Sequence, residues 1–224
     1  MSNSSQAKPI GRPPGADADR TRAAILDAAL AAFAARGFDG ASIREITGAA
    51  GVGHNLVRHY FGSKEDLWRA TVHHAFDPSA EQLTAVLSGG HAGPTEETMR
   101  AGLDVLMSSI EQNPAAIRLL VAEALRGGPR FDEIYDEVMA PVGEVFLSYL
   151  GSTDDVAAGA DPRVISLFVF AAVYGASSMN GVVQRLGLEP NTGALDARVG
   201  AGLVELVLNG LLGDGAAQRT ANSA

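Results

Sequence analysis

Residues 42–61, SIREITGAAGVGHNLVRHYF, leave the chain around them little freedom. Ser42 followed by Glu45 has the form of a capping box, in which the serine oxygen accepts the N3 amide and the glutamate reaches back to the cap amide. A helix is expected to begin there. Ile43, Ile46 and Ala50 recur at intervals of three and four and so share one buried face, and Gly51 ends the run because it can take the left-handed cap conformation. Val52 and Gly53 turn the chain. A second helix, from about Gly53 to Phe61, sends Leu56, Val57, Tyr60 and Phe61 toward a core and leaves His54, Asn55, Arg58 and His59 polar, able to donate to phosphates or base edges. Two short helices crossing steeply around a Gly-containing turn form a helix-turn-helix, whose second helix lies in the DNA major groove.

The flanks supply what such a pair needs for support. Residues 20–36 form an Ala-rich helix capped by Asp17 or Asp19, with Ile25, Leu26, Ala29, Leu30 and Phe33 as its buried stripe and Gly37 at its end. After the motif, Ser63 caps a further helix carrying Leu67, Trp68 and Val72 inward, with Lys64 in its first turn. Helix N-terminal amides favour an anion, so Lys64 and this terminus are expected to hold one phosphate, a solvated lysine being the alternative.

Ser42, Ile46, Ala50-Gly51-Val52, His59-Tyr60-Phe61 and Ser63-Lys64-Glu65-Asp66-Leu67 follow, in order and spacing, the DNA-binding segment of the tetracycline-repressor (TetR) family of bacterial regulators. Over about residues 20–75 the chain resembles that family. The resemblance implies DNA contacts from Ser42, Arg44, His54, Asn55, Arg58, His59, Tyr60 and Lys64. Three positions depart from the pattern: Gly53 stands where a capping serine is usual, Leu56 where threonine is common, and Arg58 where tyrosine is common. Arg58 is therefore either a base reader or a backbone contact.

The formal net charge of -9 becomes intelligible once divided: residues 1–75 carry +2 and four of the five histidines, and residues 76–224 carry -11. A mildly basic part can neutralise phosphates while an acidic body is held off the duplex. Cysteine is absent, which removes disulfides, zinc-thiolate sites and cysteine nucleophiles, and no signal-peptide shape opens the chain. The expected location is the cytoplasm. Residues 1–18, with the stretch KPIGRPPG, read as a disordered arm; Arg12 between Gly11 and Pro13 could enter a minor groove, or the arm could be a plain linker.

Pro78 is expected to close the DNA-binding part. Beyond it, Gly and Pro clusters separate six apolar-periodic segments: 79–87, 95–112, 114–126, 131–150, 162–186 and 194–212. No alternating strand pattern occurs. The expected fold is all-α, a three-helix helix-turn-helix domain at 19–77 and a larger helical ligand-binding and dimerisation domain at 78–212, with about ten helices and a disordered tail at 213–224. Residues 164–183 carry no charge and could in principle span a bilayer; Ser166, Ser177, Ser178 and Asn180 and the missing basic flank favour a helix buried on several sides instead. In the resembled family the last two long helices make a four-helix bundle with a partner's, which implies a homodimer through 162–186 and 194–212.

Sites for chemistry are not evident. His73 and His74 point about 100° apart on a helix and read as surface side chains. Asp132, Glu133, Asp136 and Glu137 lack the glycine turns of a calcium loop and read as a solvated face. No phosphate loop, nucleophile elbow or zinc-protease pair is present, so no catalytic residue, metal or cofactor is expected. Met99, Leu103, Met107, Phe131, Tyr135, Phe168 and Tyr174, with Glu123 and Asn180 among them, offer an apolar small-molecule pocket between helices, or simply a core. The expected protein is a ligand-responsive, DNA-binding transcriptional regulator with an inverted-repeat operator, a repressor first and an activator as the alternative. A helical ligand-carrier or enzyme using the hairpin for protein contacts is the rival.

Overall fold

The computed structural model describes residues 14–89 and 95–151, and beyond them residues 161, 163, 164, 167, 170, 171, 180–187, 202, 205 and 206. Its elements are α1 (Pro14–Gly40), α2 (Ile43–Ala49), α3 (Asn55–Phe61), α4 (Lys64–Ser88), α5 (Glu96–Gln112), α6 (Pro114–Arg126), α7 (Pro129–Ile134), a π-helical segment (Tyr135–Met139), α8 (Ala140–Gly151) and α9 (Asn180–Arg185). Among the described residues there is no strand, as an all-α fold requires.

The stripe expected on α1 is the centre of the core. Ile25, Leu26, Ala29, Leu30 and Phe33 are all buried, against Ile46 of α2, Val57 of α3 and Leu67, Trp68 and Val72 of α4. The other side of this core is Ala116, Leu119 and Leu120 of α6 with Ile134 and Val138, so α1 lies between α4 and α6. Trp68 meets Phe33 edge-on at 5.1 Å and Phe38 at 5.7 Å between ring centroids. A second group, Leu83 and Leu87 of α4 with Met99, Leu103 and Met107 of α5, extends the core along the far half of α4. Gly102 allows that approach, since a Cβ there would lie 3.3 Å from Leu83 Cδ1.

Several expectations are corrected. Pro78 does not end a helix: α4 runs through it from Lys64 to Ser88. An interior proline removes one backbone bond and costs about 3 kcal/mol in an isolated helix, but Val72, Ala75 and Phe76 before it and Leu83 and Leu87 after it are all buried, and that burial outweighs the break. The segments at 63–75 and 79–87 are thus one element, and the helix count among the described residues falls below ten. α1 begins at Pro14, so residues 14–18 of the expected disordered arm are helical and Asp17 sits in the first turn, paired with Arg20, not at a cap. Segment 131–150 is a continuous rod interrupted by the π turn at Tyr135–Met139. Residues 1–13 and 213–224, and most of 162–179 and 194–212, lie outside the described residues. No helix among the described residues is long and apolar enough to cross a membrane.

Phe33→Ala should test the central packing. We expect a loss of about 3–5 kcal/mol, seen as a lower urea midpoint in the fluorescence of Trp68, the only tryptophan; an unchanged midpoint would move the core elsewhere.

Candidate nucleic-acid interface

The pair α2 and α3 is held from three directions. Ser42 Oγ accepts the Glu45 amide at 3.2 Å, which is the first half of the expected capping box. The second half is replaced. Glu45 pairs with Arg36 at the end of α1, whose guanidinium outcompetes a neutral amide for the carboxylate and, chiefly through that hydrogen bond, holds its pKa below the ordinary value. The turn between the helices needs Gly51, at φ 67, with the Val52 amide donating to the Thr47 carbonyl at 3.0 Å. The Leu56 amide donates to the Gly53 carbonyl at 3.0 Å, so α3 starts its first turn where the sequence suggested, with His54 at its N-cap.

Val57 plugs α3 into the core, and Leu56, Tyr60 and Phe61 are half-buried against it. The opposite face carries His54, Asn55, Arg58 and His59, all exposed. Among the described residues nothing holds the side chains of Arg44, His54, Asn55 or Arg58. His59 leans edge-on against Tyr60 at 5.1 Å between rings, and Arg22 reaches over Phe61 at 5.3 Å. Ser42 and Arg44 lie exposed on the adjoining helix start. The structure therefore brings seven of the eight expected contact residues onto α2, α3 and their caps.

Lys64, the eighth, differs from expectation. Ser63 and Asp66 form a complete capping box: Ser63 Oγ accepts the Asp66 amide at 3.0 Å and the Ser63 amide donates to Asp66 Oδ2 at 3.3 Å. The anion of this terminus is thus already present as Asp66. Lys64 Nζ rests instead 4.5 Å from the centre of the Phe38 ring, which also receives the Arg130 guanidinium at 3.7 Å. Arg36 and Phe38 were missed in the sequence. Arg36 has no periodic signal because its role depends on where α2 docks, and Phe38 follows the helix-ending Gly37 and looks like a loop residue.

Residues 25–71 match the family model of the bacterial regulatory proteins, tetR family. Over those residues the chain is similar to the TetR family. Among curated proteins, the chain is similar to the HTH-type transcriptional repressor NicS of Pseudomonas putida, 33% identical over 111 residues that cover 50% of this chain and 51% of the relative. It is also similar to the HTH-type transcriptional repressor LfrR of Mycolicibacterium smegmatis, 29% identical over 118 residues, 53% of this chain and 59% of the relative. The chain spans about half the length of the curated relatives it matches. The likeness in fold extends further. The ketosteroid transcriptional regulator KstR2 of Mycobacterium tuberculosis superposes with a TM-score of 0.66 at 23% identity, covering 86% of this chain and 95% of that one. AibR, solved in complex with isovaleryl coenzyme A and operator DNA, does so at 0.64 and 20%, covering 84% and 97%.

The body presents a different picture from the expected pocket. Met99, Leu103 and Met107 are buried in the α4–α5 core. Glu123 is 4% exposed and accepts from Arg126 at 2.7 Å, and Arg126 lies against Gly37 at the end of α1. Phe131 and Tyr135 meet at a tilt of 46° with ring centroids 6.0 Å apart, Tyr135 half exposed. Asn180 opens α9, while Phe168 and Tyr174 lie outside the described residues. An open groove of about 410 Å³ lies along the second half of α4, against the π segment and α8, with Asp77, Glu81 and Glu137 at its edges and Val138 and Val142 in its wall. His73, His74 and Glu137 lie at the surface as expected, and each pairs there with another helix, while Glu133 is largely covered by Arg69 and Arg130 rather than solvated. Helix geometry separates neighbouring histidines, as expected, but it sends each to a different partner helix. Among the described residues no group of side chains could hold a metal ion.

Ser63→Ala removes the cap that starts α4. It should lower stability by about 1 kcal/mol, with a thermal midpoint shift, and Ser63→Asp should recover most of it; no shift for Ser63→Ala would make the box incidental.

Proposed function

We propose that this chain is a sequence-specific DNA-binding transcriptional regulator that works as a homodimeric repressor and leaves its operator when a small molecule binds the body. One observation carries the DNA half: α3 buries one face in the core while His54, Asn55 and Arg58 stand free on the other, with His59 exposed beside them. A core-docked recognition helix with unengaged donors is what major-groove reading requires. The similarity to the TetR family and to the repressors NicS and LfrR supports the same reading. In it, Lys64, Arg44 and His59 meet the phosphate backbone, and His54, Asn55 and Arg58 face base edges.

The dimer rests on 162–186 and 194–212. Val164, Leu167, Val182, Leu186 and Leu206 are between 48% and 70% exposed in the single chain, and apolar side chains so bare call for a cover. A two-fold dimer sets its recognition helices one turn of DNA apart, ~34 Å, and so selects an inverted repeat. The ligand acts through differential affinity for two spacings, and DNA opposes the ligand by the same factor. Its site belongs to the body between α4 and α9, where buried Met99, Leu103 and Met107 would have to part to admit an apolar or amphipathic molecule.

Titration of variants on an operator duplex and a scrambled one, at several salt concentrations, separates the roles. Lys64→Ala should weaken both and lower the salt slope by about 1, whereas Arg58→Ala should lose about 1–3 kcal/mol mainly on the operator. Equal losses for Arg58→Ala on both duplexes would reassign it to the backbone; no loss for Arg44, His54, Arg58 or Lys64 would remove the DNA-binding reading.

Leu206→Arg places a charge in the proposed seam. Light scattering should show monomers or aggregates, with operator binding lost; a normal dimer puts the interface elsewhere.

A further inference from the structure

A polar ladder joins the long helix α4 to the rod formed by α7 and the π segment. Arg69, His73 and Asp77 are spaced by four on one face of α4. Arg69 Nε donates to Glu133 Oε1 at 2.9 Å and lies 3.8 Å from Glu137 Oε1. Arg130 donates to Glu133 Oε2 at 3.2 Å. His73 Nε2 is 3.0 Å from Glu137 Oε2 and its Nδ1 is 3.1 Å from Asp77 Oδ1.

Both ring nitrogens of His73 therefore face carboxylates. A neutral imidazole owns one N–H, so one contact would set a lone pair against an anionic oxygen; only the imidazolium satisfies both. The charged groups around it are Arg69 and Asp77 on α4, with Glu81 one turn on, and Glu133 and Glu137 on the rod. From α8, Pro141 and Val142 border the same groove without charge. Asp27 of α1 is taken by His74, at 2.8 Å.

We propose that protonation of His73 sets the grip between α4 and the π segment and thereby tunes operator affinity, the closed, protonated clasp being the DNA-binding arrangement. This rests on the regulator reading above. α4 starts at Lys64, beside the recognition helix, and a rigid helix that is clasped at residues 69–77 has its N-terminal end fixed in angle. A fixed α4 holds the recognition helix at one angle, and a single angle is what an operator of fixed half-site spacing selects. The hydrogen bond that His73 donates to Asp77, and then the charge of Asp77 with the hydrogen bond and charge of Glu137, raise the His73 pKa above its ordinary value against partial desolvation. A raised folded-state pKa means that the contribution is complete below about 6.5, the unfolded value, and is lost as pH rises through the raised value. Operator affinity should fall over the same window.

The test uses the full chain and a duplex enriched from a randomised library by the wild-type protein. Affinities are measured from about pH 5.5 to about pH 8.5 for wild type, His73→Gln and Glu137→Gln. The other histidines are common to all three proteins and cancel in the ratio. The advantage of wild type over His73→Gln should shrink about threefold to tenfold across the range, as one unit of pKa difference is worth tenfold. Glu137→Gln should remove most of the same pH dependence, and in an NMR titration it should lower the His73 pKa. A ratio that stays flat while the duplex is still bound overturns the coupling, as does a His73 pKa untouched by Glu137→Gln. If no duplex is enriched, the regulator reading falls and this inference with it, an outcome distinct from a flat ratio.

Discussion

The edge-on packing of Trp68 against Phe33 and Phe38 is the contact on which the other elements depend. An α3 of seven residues is far below the length at which an isolated helix persists in water, about 12–15 residues, so its shape is borrowed from what it docks on. That platform is α1 and α4, joined by these rings. Trp68 is fully buried, and its Nε1–H has no partner among the described residues. An orphaned donor costs about 1–3 kcal/mol, whereas burying an indole, roughly 150–250 Å², contributes on the order of 4–6 kcal/mol. Packing wins, and the ring's position is set by shape rather than by its polar tip. The recognition surface is a consequence of that core.

What was legible in the sequence was local. The stripe on α1, the turn at Gly51, the cap at Ser63 and the inward Leu67, Trp68 and Val72 each depend on residues within a turn or two, and periodicity or a cap reports them directly. Misreadings arose where a distant partner decides. Pro78 is a helix breaker by its own chemistry, and only the burial of Phe76 on one side and Leu83 on the other carries α4 through it. Glu45 has the spacing of a capping box, but Arg36 takes its carboxylate. Arg69 and Glu133 are 64 positions apart, as are His73 and Glu137, and no window along the chain could pair them. The ligand pocket was the least legible feature, because methionines and leucines at helical spacing line a cavity or fill a core with equal ease, and here Met99, Leu103 and Met107 fill one.

The unbroken α4 changes what a division at residues 77 and 78 can mean. A boundary inside a helix is not a hinge, so the DNA-binding end and the body share one rigid element. Motion between them has to occur around α4, at its side-chain contacts, and those contacts include the polar ladder where they face the rod but are apolar where they face α5. Sliding an ion-pair ladder exchanges partners at small cost, while shearing a packed apolar seam opens voids. The ladder side is therefore where two arrangements of the helix can have comparable free energy, and the open groove lies along that same side.

The ladder also explains how a chain of net charge -9 can present a basic face. Arg69 counts toward the positive balance of the first 75 residues, yet it and His73 are spent on Glu133 and Glu137. Arg36 is likewise spent on Glu45. The cations left unengaged among the described residues of α2 and α3 are Arg44 and Arg58, with His54 beside them, all on one exposed surface. Pairing inside the molecule thus sorts the charges by direction: acids of the body neutralise the inward basic groups, and only the outward ones keep a field that reaches a duplex. Since that field decays over about 8–10 Å at physiological salt, the excess acid of the body weighs little on phosphates at the recognition helix, and the local sign, not the total, governs the approach.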